Sequence, residues 1–318
     1  MSSANLQKPI FTDETKAREW LEARVWPHGP VCPHCGNVDP ARIKALHGKA
    51  HRPGLYQCNE PECREQFTVT VGTVFERSKI PLTKWLAALF LLVSSKKGIS
   101  SHQMHRMLGI SYKSTWFMMH RLREAMRVGP LAPMGGNGAI VEVDETFFGL
   151  REGAKKGGGT GHKNVVLTLV ERGGSARSYH VNSTKKADIL PIVNANLDRE
   201  SHIMTDEAGH YTKLGKDFAK HDTVDHSREE YAYRDHRTGV VITTNTVEGY
   251  YSIFKRGMKG VYQHCKEKHL HRYLSEFDFR YSNRSALGVE DMERAELLAA
   301  GIVGKRLTYR RPNLESRA

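Results

Sequence analysis

Three stretches of different character follow one another in this chain, and together they predict a multidomain protein: a small metal-folded module, an all-helical block and an α/β domain. Four of the five cysteines crowd between Cys32 and Cys63. A helical period of apolar residues governs Leu82 to Met126, and from about residue 139 short strand-length apolar runs alternate with helical patterns. At 318 residues there is room for two or three domains. The expected boundaries are 1–80 for an N-terminal region containing the cysteine module, 81–128 for the helical block, 138–285 for the α/β domain and 286–318 for a basic C-terminal tail.

In the first stretch Cys32 and Cys35 enclose two residues, Cys58 and Cys63 enclose four, and 22 residues separate the pairs. Turn formers stand beside each pair (VCPHCGNVDP, YQCNEPEC), which suits two pincers closing on one tetrahedral Zn2+. Four thiolates leave no open coordination position, so the metal of this zinc ribbon is expected to be structural. A period-two strand is expected over Gln66 to Val71. Cys265 stands alone and reads as a structural thiol.

The second stretch reads as three helices: TKWLAALFLLVSSKKG, then SSHQMHRMLG with serine at its cap, then SYKSTWFMMHRLREAM with Trp116, Met119, Leu122 and Met126 along one face. The last two are joined by a tight turn at Gly109, Ile110 and Ser111, the spacing of a helix-turn-helix whose second helix enters a DNA major groove. Lys113, Ser114, His120, Arg121 and Arg123 lie off the apolar stripe and are the expected contacts to bases or phosphates. GPLAPMGGNG (129–138) reads as a linker.

In the third stretch AIVEVDETFFG, NVVLTLVERG and ARSYHVNST read as successive strands. KKADILPIVNANL follows as a helix that Ser183 or Thr184 can cap, HIMTDEAG as a strand, and Lys213 to Ala219 as a short helix. A strand near Val240 leads into the helix NTVEGYYSIFKRGM. Three strands, helix, strand, helix, strand, helix is the order of a ribonuclease-H-like sheet. GAKKGGGTG (153–161) reads as a hairpin loop.

Asp144 sits in a strand on which apolar residues alternate and which would otherwise be buried, and Asp206 ends the strand HIMTDE directly after an apolar run. A buried carboxylate is costly unless it is paired or holds a metal. The first and fourth strands of such a sheet are neighbours, so the two aspartates are expected to meet. Carboxylate oxygens suit Mg2+, and two such ions about 4 Å apart activate an attacking water or hydroxyl and stabilise the leaving oxygen of a phosphodiester. The third ligand is expected on the helix after the last strand. Glu248 follows Asp206 with 41 residues between them, and Lys255 lies two turns further on the same face. NTVE also reads as a helix start, with Asn245 capping and Glu248 closing a capping box. Lys255 and Arg256 either meet DNA phosphate or form a solvated helix face. Glu142, Glu145 and Glu207 read as supporting residues.

Charge agrees with a polyanionic partner. The net charge is +13, distributed as +9 over 1–130, −2 over 131–248 and +6 over 249–318. Basic ends attract nucleic acid, and the acidic middle can hold metal ions. The longest apolar run, Trp85 to Val93, is nine residues, far short of the roughly 20 of a membrane helix. No secretory signal is visible at the N-terminus, and a cytoplasmic protein is expected.

At these residues the sequence resembles the DDE transposases of bacterial insertion sequences, in the ISXO-type subgroup with an N-terminal zinc ribbon. The carriers are CPHCG, YQCNEPEC, VEVDETFFG, IMTDEAGHY and TNTVEGYYSIFKRGMKGVYQHCKEKHLHRYLSEFDFRYSNR. The resemblance implies a ribonuclease-H-like domain and Mg2+-dependent cleavage and joining of DNA at terminal inverted repeats, with Mn2+ able to substitute. It implies that Asp144 and Asp206 are the first two acidic residues, that Glu248 or Asn245 is the third, and that Lys255 contacts the element's end. It also implies a homodimer or larger assembly on double-stranded DNA and a nucleoid-associated location. A zinc-containing DNA-binding regulator without catalysis, and a nuclease without strand joining, are the competing expectations.

Overall fold

A computed structural model describes residues 5–127, 129, 131–209, 211, 216–225 and 232–308. The chain divides into two compact units. The first comprises Met1–Ser95, Ile99–Arg127 and Glu290–Ala318; the second comprises Lys96–Gly98 and Val128–Val289.

The first unit opens with helix α1 (Glu14–Val25), whose first turn is capped by Asp13 Oδ1 accepting from Thr15 N at 2.7 Å and Lys16 N at 3.0 Å. Strands β1 (Ile43–Leu46), β2 (Leu55–Cys58) and β3 (Gln66–Phe67) form a small antiparallel sheet. The strand expected to run to Val71 stops at Phe67, because the chain turns at once: Val71 N donates to Thr68 O and Thr73 N to Thr70 O. Helix α2 (Leu82–Ser94) is buried almost all round, and Glu14 caps it by accepting from Leu82 N at 2.7 Å and Thr83 N at 3.2 Å. Helix α3 (Ser101–Leu108) is capped by Ser100 and ended by Gly109 at φ +60°, the left-handed conformation that glycine adopts without a Cβ penalty. Ser111 then caps α4 (Tyr112–Met126).

Residues 286–318, read as a tail, contain a short 3-10 turn at Ser285–Leu287 and then helix α8 (Asp291–Ala300); 309–318 lie outside the described residues. Ala295, Leu298, Ala299 and Ile302 are buried, and α8 packs on α1, α2 and α4. Arg294 donates to Val93 O at 3.3 Å, and Lys305 Nζ to Ala125 O at 2.7 Å. The charged composition hid this helix, whose apolar stripe is only one residue in three or four.

The second unit is a mixed α/β sheet domain. Strands β4 (Ile140–Phe148), β5 (Asn164–Glu171), β6 (Ala176–Val181), β7 (His202–Asp206) and β8 (Lys220–Val224) line up in the order β6-β5-β4-β7-β8. Neighbours in the β6-β5-β4 half are antiparallel; β4–β7 and β7–β8 are parallel. Helix α5 (Lys186–Asn196) covers one face, where Val141, Val143, Leu167, Leu169 and Ile203 meet Ile189 and Val193. Helices α6 (Asn245–Gly257) and α7 (Leu270–Ser282) cover the other, with Val166, Val170 and Phe148 against Val247, Phe254 and Phe277. Each such apolar side chain, fully buried, contributes on the order of 1.5–3 kcal/mol, so both faces of β4 are firmly held. Within the second face Asp278 accepts from Ser178 N, Ser178 Oγ and the Tyr250 hydroxyl at 2.6–2.8 Å, tying α7 to β6 and α6.

Three expectations are revised here. The fifth strand of the sheet is β8, whereas the strand near Val240 (β10, Val241–Thr243) pairs with β9 (Ala232–Arg234) in a separate hairpin. Ser183 lies two residues before the cap of α5, which is Lys185; its hydroxyl accepts from Lys185 N instead. The 129–138 linker contains Met134, buried and bridged to Leu197. The helix expected at Lys213 to Ala219 begins on residues outside the described set.

Candidate functional site

In the first unit Cys32, Cys35, Cys58 and Cys63 bring their sulfurs within 4.8 Å of one another. Cys32 and Cys63 are 3.7 Å apart Sγ to Sγ, as are Cys35 and Cys58. A tetrahedron with metal–sulfur bonds of about 2.3 Å has edges of about 3.8 Å, so the donor set fits Zn2+. The five-residue step from Cys58 to Cys63 is accommodated by a turn in which Cys63 N donates to Glu60 O. Trp26, Tyr56 and Phe67 pack behind the cluster, with Trp26 edge-on to both rings at 5.4 and 5.8 Å.

The basic residues of α4 differ from expectation. Lys113 and Ser114 are exposed at its start, but His120, Arg121 and Arg123 are buried at 2%, 6% and 1% exposure. Arg121 donates to Glu76 O at 2.6 Å and stacks against Trp85 and Phe117, and burial pushes its pKa down to about 10. His120 lies against Trp116. Helix α4 is enclosed by α2, α3 and α8, so its second half is covered on faces that a single apolar stripe leaves open.

In the second unit the sheet brings the aspartates together. Glu142 is paired with Met204 across the parallel β4–β7 ladder; two residues further along both strands, that register sets Asp144 beside Asp206, on the face covered by α6. Asp144, Glu145, Thr146, Asp206, Glu248, Tyr251, Ser252 and Lys255 line one cavity of about 400 Å3. Glu248 and Lys255, seven residues apart on α6, reach it from one helix face. Asn245, the first residue of α6, is exposed and outside this lining, as is Arg256.

Asp144 is mostly buried, and that burial, reinforced by Glu145 and to a smaller degree by Asp206 and Glu248, pushes its carboxyl up to about 7. A hydrogen bond from Glu145 N at 2.7 Å acts in the opposite direction. A carboxyl held this high by burial, and further by neighbouring carboxylates, is one whose charge a divalent cation would relieve. Lys255 is depressed by burial, and the Asp144 charge partly offsets that. Four carboxylates, those of Asp144, Glu145, Asp206 and Glu248, line this cavity and offer the oxygen donors that hard divalent cations take, whereas among the described residues only the cysteine cluster already gathers its ligand atoms within 4.8 Å of one another.

Two tyrosines around the site carry weight that the sequence did not reveal, and Glu142, read there as a supporting residue, takes a specific place. Tyr251 is buried and donates to the backbone carbonyl of Asp144. Tyr211 is buried and donates to Glu145. Glu142, fully buried, accepts from the first turn of α6, so the Asn245–Glu248 capping box does not form; Glu248 accepts from the Thr244 hydroxyl at 3.1 Å. A charged residue two positions before Asp144, on the same strand face, marks Glu142 as a supporting residue in the sequence, and its place at the start of α6 gives that support a form.

Residues 135–282 match the ISXO2-like transposase domain family, and residues 12–66 match the transposase zinc-ribbon domain family. The chain is also 27% identical over 291 residues to an uncharacterised protein in transposable element ISH50 of Halobacterium salinarum, a match covering 85% of this chain and 91% of the relative. Among the described residues no helix is long and apolar enough to cross a membrane. With the cysteine cluster inside one matched segment and the carboxylate cavity inside the other, the chain carries a transposase zinc-ribbon domain followed by an ISXO2-like transposase domain.

Proposed function

We propose that the protein binds the terminal inverted repeats of an insertion sequence and catalyses Mg2+-dependent cleavage and transfer of DNA strands. The observation that carries this reading is one cavity lined by Asp144, Asp206, Glu248 and Lys255. The strand order β6-β5-β4-β7-β8, with the acidic residues on β4, β7 and the following helix, supports a ribonuclease-H-like catalytic domain.

Asp144, Asp206 and Glu248 are the residues that would hold Mg2+, with Mn2+ able to replace it. When bound, the ion supplies Lewis acidity at the scissile phosphate and lowers the pKa of the attacking water or 3′ hydroxyl. Tyr251 fixes the strand at Asp144, and Tyr211 holds Glu145 at the rim of the cavity. Lys255 offers positive charge to the phosphate at the element's end. The zinc ribbon folds around its four thiolates, and the turn between α3 and α4 supports a helix-turn-helix that offers Lys113 and Ser114 to DNA. Cleaving two ends in one complex calls for at least two copies of the chain, acting on the cytoplasmic nucleoid.

The test is nicking and joining of a duplex carrying the element's ends, with Mg2+ or Mn2+. Asp144→Ala is expected to abolish cleavage and leave repeat binding intact, and sizing of the DNA complex is expected to give a dimer or larger. Wild-type binding with no nicking in either metal would instead favour a non-catalytic regulator, and nicked products without joined ones a plain nuclease.

A further inference from the structure

The first turn of α6 is capped from far away in the sequence. Its N-cap residue, Thr244, makes no side-chain hydrogen bond to the helix backbone. Glu142 Oε2 accepts from Thr246 N at 2.7 Å and Val247 N at 2.9 Å, and Oε1 accepts from Thr246 Oγ1 at 2.7 Å. Arg172 donates Nε to the same carboxylate at 2.6 Å, and its Nη atoms to Val241 O and Thr243 O at 2.7 and 2.9 Å. Glu142 has no exposed surface.

A local cap would serve the helix more cheaply. Burying a carboxylate and a guanidinium together is costly, and the pair recovers that cost only through good geometry and full hydrogen bonding. What a remote cap adds is register. Glu142 stands two residues from Asp144 on the same face of β4, about 7 Å along the strand. The last donor it holds, Val247 N, immediately precedes Glu248. The strand bearing the first carboxylate is therefore fastened to the start of the helix bearing the third through the buried Glu142, one turn before the second tie that Tyr251 makes to the Asp144 carbonyl, and Arg172 fastens the segment entering that helix to the same point.

We infer that Glu142 is a positioning residue that, with Arg172 and Thr246, sets Glu248 against Asp144 and so fixes the metal-binding geometry of the cavity. This inference rests on the metal-dependent reading above. Mg2+ demands near-ideal octahedral coordination, so a small displacement of one ligand weakens the site.

The experiment compares full-length wild type, Glu142→Gln and Thr246→Val in two measurements: Mn2+ binding, followed by loss of the free-ion paramagnetic resonance signal, and the Mg2+ concentration giving half-maximal nicking. Groups that orient metal ligands typically change affinity roughly 10–100-fold when altered. Glu142→Gln is expected to weaken Mn2+ binding and raise the half-saturating Mg2+ by about that factor, with nicking recovering at saturating metal. Thr246→Val is expected to shift both in the same direction by less. A Glu142→Gln protein that melts earlier yet binds Mn2+ as tightly as wild type would overturn the positioning role and leave only a structural cap. If Glu142→Gln does not fold, Thr246→Val decides: weakened binding supports the inference and unchanged binding overturns it. Wild type that neither binds Mn2+ nor nicks would overturn the metal-dependent reading together with this one.

Discussion

Replacing Asp144 with Asn removes a charge that the metal-free fold accommodates poorly. The Asp144 carboxyl titrates near 7 in the folded chain, against 3.8 ordinarily. The unfolded chain thus releases this proton near pH 4, while the folded chain keeps it to about 7. Between those values the folded state binds more protons, so stability falls as pH rises through the window, and the loss is complete above about pH 7. At about 1.4 kcal/mol per pH unit, a window of roughly three units bounds the penalty at about 4 kcal/mol. Two of those units lie above pH 5. The advantage of Asp144→Asn over wild type should therefore widen by about 2–3 kcal/mol between pH 5 and pH 8 in buffer without Mg2+ or Mn2+, and narrow when Mg2+ is added. Urea unfolding followed by far-ultraviolet circular dichroism measures it; the four tryptophans, Trp20, Trp26, Trp85 and Trp116, all lie in the first unit and give an internal reference. An advantage of the same size at both pH values would refute the account of Asp144 as a carboxylate strained by burial and its neighbours.

Cys58→Ser, or removal of zinc by a strong chelator, should unfold the ribbon and expose Trp26, read as a red shift in tryptophan emission with zinc released to a colorimetric dye; unchanged emission on metal loss would contradict a metal-folded module. Lys255→Ala should cut metal-dependent nicking by roughly 10–100-fold and lower the salt slope of end binding by about one, as expected for one lost phosphate contact; an unchanged slope would remove Lys255 from the DNA. Arg121→Met should cost about 1–3 kcal/mol in thermal unfolding, the worth of a hydrogen bond from a charged group, and leave repeat affinity unchanged. Lys113→Ala should do the reverse, and a gel-shift titration separates the two.

The carboxylates of the cavity and the cysteines were legible because each breaks a rule. Asp144 and Asp206 stand on strands built largely of buried apolar residues, where a carboxylate is costly, and four thiols stand beside turn formers. The succession of strands was legible up to β7 because β4 and β5 are long and carry runs of buried apolar residues. Strand β8 (KHDTV) was not, since only Val224 of its five residues is buried. Lys220 pairs there with Asp222 and Asp235 at 2.8 and 2.9 Å, and His202 with Asp222 at 2.7 Å, so the strand is held largely by polar contacts that periodicity does not register. Helix α1 was missed for a similar reason: it buries only Ala17 and Leu21 among twelve residues. The basic residues of α4 misled in the opposite direction. Arginine stems pack on aromatic rings and bury readily when a carbonyl receives the guanidinium, so sequence alone does not separate a DNA contact from a core arginine.

Helix α8 returns to the unit that begins the chain, after the whole sheet domain has been written in between. Helix α2 carries Leu86, Leu89, Phe90 and Val93 in a core that stays open on one side until residues 291–302 emerge from the ribosome. A message broken anywhere in the intervening 160 or so codons yields an N-terminal unit without its last helix. Such a product keeps its cysteines but shows chaperones and proteases a bare apolar surface. Sequence order thereby makes completion of the first unit conditional on synthesis of the second.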